Sequence, residues 1–107
     1  MLVQLHPGND TTAREPLAER AEQIVEDAVG RFADQITRVE IYMSDGNADK
    51  GGENDKRCAM EARLAGHQPI TVTHHAATVR EALGGAAAKL ERTLEHTLGK
   101  LGDRRAS

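Results

Sequence analysis

The chain has 107 residues and a formal net charge of −3, which allows one domain with a modest core and argues against a general polyanion binder. Aromatics make up 2% of it, Phe32 and Tyr42 alone, so the core must come from Leu, Ile, Val, Ala and Met. The same scarcity argues against base stacking as practised by RRM or cold-shock modules. Its one cysteine, Cys58, excludes an internal disulfide.

In chain order, Met1 to His6 alternates weakly, Val3 and Leu5 against Gln4 and His6, and reads as a short strand ended by Pro7-Gly8-Asn9-Asp10. Glu15 to Phe32 reads as an amphipathic helix. Leu17, Ala21, Ile24, Val25, Ala28 and Phe32 recur at three- and four-residue steps, and Pro16 suits the first turn. Glu15, Glu19, Glu22 and Glu26 form an acidic stripe on one flank, with Arg20, Asp27 and Arg31 on the other.

Ile36 to Ser44 alternates as a half-buried strand, with Val39, Ile41 and Met43 inward and Glu40, Tyr42 and Ser44 outward. Arg57 to Leu64 does the same, with Cys58, Met60, Ala62 and Leu64 inward. Gly66 to Pro69 makes a turn, after which Ile70 and Val72 oppose Thr71 and Thr73 in a fourth strand. Thr78-Val79-Arg80-Glu81 is a capping box, with threonine accepting from the backbone and glutamate returning the bond. The helix it opens carries Val79, Leu83, Ala86, Leu90, Leu94 and Leu101 on one stripe. Gly84-Gly85 is its weak point, and Gly102 is expected to close it.

The order β-α-β-β-β-α makes the fold class α+β: a four-stranded sheet with two helices on one face. The central hairpins should be antiparallel. The first strand should run parallel to its neighbour through a right-handed crossover. The expected layout is a single domain over residues 1–102, with 103–107 a flexible C-terminal tail. No leader or membrane-spanning run is read in the chain, so a cytoplasmic location is expected.

The segment "SDGNADKGGENDKRC", Ser44 to Cys58, imitates two ligand loops. Asp45, Asn47 and Asp49 match the first, third and fifth ligands of an EF-hand. Lys50 stands where the turn glycine is needed, however, and Lys56 where the bidentate glutamate is needed. Gly46 and Gly51 have P-loop spacing, but Gly52 and Glu53 replace the lysine and the hydroxyl residue. The segment therefore reads as a long hairpin connection, with Lys50, Lys56 and Arg57 as its cations.

Of the histidines, His6, His67, His74, His75 and His96, the adjacent pair His74-His75 points to opposite strand faces. It cannot grip one metal together. Cys58 falls on the inward phase of its strand and reads as a small core residue rather than a nucleophile. No metal, cofactor or catalytic set is expected, and no enzymatic activity.

Charge is distributed unevenly. Residues 1–35 hold three basic and seven acidic side chains, and residues 78–107 hold six basic and four acidic. Within the latter, Lys89, Arg92, His96 and Lys100 recur at steps of three, four and four. They form one basic stripe, expected roughly opposite the apolar one and extended by Arg104 and Arg105. A solvated helix face is the commoner source of such a stripe, but this one can also track phosphates. Lys56 and Arg57 join it as candidate RNA contacts.

Several segments together carry a resemblance that runs through nearly the whole chain in order. They are "ITRVEIYMSD", "KGGENDKRCAMEARLAG", "ITVTHHAATVREAL" and "AAAKLERTLEHTLGKL". The chain resembles the ribosome hibernation-promoting factor / ribosome-associated inhibitor A family, also called sigma-54 modulation proteins, in its short form. The resemblance implies a fold like a double-stranded-RNA-binding domain. It implies binding to the small ribosomal subunit and its rRNA between head and body, where mRNA and tRNA would sit, as a translational block under stress. Lys89 and Arg92 in "KLER" match the family's basic positions, and Lys100 matches more loosely. Ribosome dimerisation through the C-terminal domain of the long forms is not expected, and no dimerisation domain is read in the chain. The acidic first helix and the low total charge support an alternative: a diverged member that binds protein through that helix, the sheet edge or the Asp45–Asp55 loop.

Overall fold

A computed structural model of the chain describes residues 1–6, 15–45 and 56–106; the side chains of 15, 16, 45 and 100–106 are outside the description. The elements are β1 (Leu2–His6), α1 (Glu15–Val29), a 3-10 turn (Gly30–Phe32), β2 (Ile36–Asp45), β3 (Lys56–Leu64), β4 (Ile70–Ala76) and α2 (Val79–Ala106). The sheet order is β1-β2-β3-β4, with β1 parallel to β2 and both hairpins antiparallel. The expected α+β arrangement is therefore the observed one. The hairpin loop between β2 and β3, including the EF-hand and P-loop mimics, lies outside the described residues, as does the Pro7–Asp10 turn.

Both helices cover the same sheet face. α1 lies against β1, α2 spans β3 and β4, and the helices pack on each other. Between them and the sheet sit Ile41, Met60, Leu83, Leu90 and Leu94, all fully buried. Each such side chain contributes about 1.5–3 kcal/mol by leaving water. The alternation read in β2 and β3 holds: Val39, Ile41 and Met43 face Cys58, Met60 and Ala62 on the helix side.

One departure from strict alternation has a local cause. The register slips between Ile36 and Arg38, so two steps along β2 match the single step from Leu64 to Arg63 on β3. This bulge turns Ile36 into the core beside Val39, three residues away. Thr37, the extra residue, donates its hydroxyl to the Arg63 carbonyl at 3.1 Å.

The helices differ from expectation at their ends. α1 stops at Val29 and tightens into the 3-10 turn, and Val29 proves fully buried, a core position outside the expected stripe. α2 does not close at Gly102 but continues to Ala106. At its start, Thr78 Oγ1 accepts from the Glu81 N–H at 3.1 Å, as a capping box requires. The return bond differs, because the Glu81 carboxylate accepts from the Thr78 hydroxyl at 3.0 Å. Gly66, with φ of 77°, supplies the left-handed residue in the β3–β4 turn.

Candidate nucleic-acid interface

The charge on α2 is sorted by side. Arg31, at the end of α1, donates to Glu91 at 2.8 Å and Glu95 at 3.1 Å, and its guanidinium stacks over Phe32 at 4.4 Å. This clamp ties the helices together and neutralises the acidic flank of α2. The opposite flank, toward the β4 edge, carries Lys89, Arg92 and His96. The structure therefore brings those three expected contacts onto one side. Lys100, Arg104 and Arg105 belong to the same helix, but their side chains are among those not described.

Arg92 lies nearly opposite the apolar stripe, as spacing suggested, whereas Lys89 sits to its side. At about 100° per residue, Lys89 and Arg92 lie roughly a quarter to nearly half a turn from Leu90. Lys89 is half-buried, and its Nζ donates to the Thr73 carbonyl of β4 at 2.8 Å. As β4 is an edge strand, this bond satisfies an edge acceptor and holds the helix against the sheet. Arg92 and His96 are exposed. Lys89 is thus a strut first, and the exposed Arg92 and His96 beside it carry the flank outward.

Lys56 and Arg57, the other expected contacts, part company. Lys56 follows the helix-side phase of β3 and is half-buried. Arg57 lies on the open sheet face, paired across the strands with Ser44 and His75. It is not on the same surface as the α2 flank.

That open face holds what sequence reasoning missed. Glu40, expected to point into solvent, is 6% exposed. It accepts from His6 Nε2 at 2.5 Å and from Arg38 Nε at 3.3 Å. The His6 bond, then the nearby Arg38 guanidinium, hold its carboxyl below the usual carboxylate range against the opposing effect of burial. His6 in turn stacks on Tyr42, with ring centroids 4.7 Å apart and planes 10° from parallel. The pairing follows from register, since His6 lies beside Tyr42 and Gln4 beside Glu40. No local pattern announces it, because the partners are more than thirty residues apart.

The histidine pair splits as strand geometry requires. His74 turns toward α2 and seats its ring against Gly85, while His75 is exposed on the open face. Among the described residues, no group of three or more His, Cys, Asp or Glu side chains is placed to hold a metal. Cys58 is fully buried opposite His74, and burial pushes its thiol up to about 12. Among the described residues, no helix is long and apolar enough to cross a membrane.

Comparison with solved structures gives the fold a context. The N-terminal domain of Thermus thermophilus Protein Y is similar over 91% of this chain and 99% of its own, with a TM-score of 0.73 and 16% identity. A ribosomal subunit interface protein from Coxiella burnetii is similar over 92% of this chain and 96% of its own, with a TM-score of 0.61 and 16% identity. No curated protein sequence matches the chain. The family model described as sigma 54 modulation protein / S30EA ribosomal protein matches residues 7–102. With α1, β2, β3, β4 and most of α2 inside that match, the chain belongs to the sigma 54 modulation protein / S30EA ribosomal protein family.

Proposed function

We propose that the protein is a ribosome-associated hibernation factor. It binds the small subunit through rRNA phosphates and occupies the channel that mRNA and tRNA use, silencing translation under stress in the cytoplasm. The observation that carries this reading is the one-sided basic flank of α2 in a chain of this family. Glu91 and Glu95 are engaged by Arg31, and Arg92 and His96 are exposed beside Lys89, which is held to the sheet edge. Lys100, Arg104 and Arg105 continue the same helix, so the cations span roughly 24 Å at 1.5 Å per residue. Binding of this kind needs no chemical step. Its mechanism is steric, and its affinity comes from displaced counterions.

The reading predicts that added protein inhibits cell-free translation. It also predicts that small subunits preloaded with mRNA and tRNA resist binding. Equal binding to loaded and empty subunits would overturn occlusion. The exposed acidic side chains Glu19, Glu22, Glu26 and Asp27 of α1 favour a second reading, a module for a basic protein partner. A pull-down that survives nuclease treatment and ribosome removal would support it over the first.

A further inference from the structure

On the open sheet face the described arginines outnumber the carboxylates. Arg38, Arg57 and Arg63 stand there against Glu40 and Glu61. Each of those glutamates is already matched, Glu40 by Arg38 and His6, Glu61 by Arg63 Nε at 3.3 Å. In the middle lies Tyr42, 42% exposed, stacked on a His6 side chain that is 47% exposed. Directly across from Tyr42 is the short side chain of Ala59, 7% exposed, with Thr73 beyond it on β4. Successive open-face rows are about 7 Å apart along a strand. Arg57 is one row from Tyr42 on one side, and Arg38 and Arg63 are two rows away on the other.

We infer that this face binds a short single-stranded RNA segment, with one unpaired base stacked against the exposed His6–Tyr42 pair and its flanking phosphates on Arg57 and on Arg38 or Arg63. The chemistry fits each part. Two aromatic residues rule out a platform for several bases, but one ring fixed on a rigid strand offers a flat face that a single base can cover, and guanidinium groups on either side match the negatively charged linkages. Glu40 serves as a positioning residue. Buried between His6 and Arg38, it fixes the ring that carries the stack and orients the guanidinium beside it. A duplex cannot make this contact, because its bases are already stacked. The surface is separate from the α2 flank and does not depend on ribosome binding.

Tyr42 is the only tyrosine in a chain without tryptophan, so its fluorescence reports this site alone. Full-length protein is titrated with a labelled single-stranded RNA of about eight nucleotides, within the range one such fold covers. RNA anisotropy and tyrosine emission are read together. The expected result is salt-sensitive binding with quenching of Tyr42, weakened at least about fivefold in Tyr42→Leu. Arg57→Ser should weaken it too, while Tyr42→Phe retains binding. Circular dichroism of each variant confirms that the fold persists. Binding without a change in Tyr42 emission overturns the inference, as does equal affinity of Tyr42→Leu. A duplex of the same length that quenches Tyr42 equally overturns it as well. Quenching that follows protein concentration rather than RNA would assign the face to self-association and also overturn it.

Discussion

The His74 ring lies so close to the backbone of Gly85 that a β-carbon on that glycine would overlap it, whereas Gly84, one residue earlier, faces open space. Two adjacent glycines in one helix therefore have opposite roles. Gly85→Ala should destabilise the protein by about 1–3 kcal/mol through overpacking. Gly84→Ala should stabilise it by up to about 1 kcal/mol, by restricting the unfolded chain and improving helix propensity. Denaturant titration of both variants checks this, and adding His74→Ala to Gly85→Ala should relieve its overpacking. Shifts of the same sign in both single variants would contradict the packing described.

Lys89 and Arg92 should separate in their effects. Lys89→Ala removes the bond to the Thr73 carbonyl and should cost about 1 kcal/mol of stability together with RNA affinity. Arg92 is exposed, so Arg92→Ala should alter stability by no more than about 0.5 kcal/mol while still weakening RNA binding. Thermal melts and binding isotherms on the same preparations measure both.

The Glu40 carboxyl has a defined pH signature. Its folded value is held below the ordinary 4.5, chiefly by the His6 bond, so the ionised group favours the folded state. That contribution is complete above about pH 4.5. It is lost as pH falls through the lower folded value. The stability difference between the wild type and Glu40→Gln should therefore be present at neutral pH and shrink in acid below 4.5. A difference that grows in acid would contradict the arrangement of His6, Glu40 and Arg38.

Cys58 should be inert in the folded protein. With its thiol pushed up to about 12 and its side chain fully buried, almost no thiolate exists at neutral pH. A thiol reagent should modify it only on denaturation. Cys58→Ser, which puts a hydroxyl in the same site, should cost about 1–3 kcal/mol. Labelling of native protein at the rate of a free thiol would refute the burial.

How far the molecule was legible follows the range of each interaction. The alternation of Val39, Ile41 and Met43 and the spacing of Leu83, Leu90 and Leu94 are local patterns, and each falls in the core as read. Val29 continues the four-residue steps from Ala21 and Val25, but the stripe was read along Ala28 and Phe32, which prove only half-buried. The basic stripe was visible in spacing. That Lys89 would be tied to Thr73 was not, since it depends on which strand lies under the helix. The cluster of His6, Glu40 and Tyr42 was least legible. Strand alternation placed Glu40 on the outer face, but only the pairing of β1 with β2 sets the His6 imidazole over it, beside Arg38 of its own strand. Gly85 read as a weakness by propensity, yet its missing side chain is what admits His74.

The central claim is that exposed cations of α2 bind the small ribosomal subunit. Co-sedimentation of the protein with purified small subunits across a salt series tests it most directly. The prediction is pelleting at low salt, with log affinity falling at a slope of roughly −3 against log salt, as about four phosphate contacts would give. Changing Arg92, His96 and Lys100 together to glutamate should abolish it without loss of fold. Wild-type protein that stays in the supernatant at low salt, or a charge-reversed variant that pellets equally well, would contradict the account.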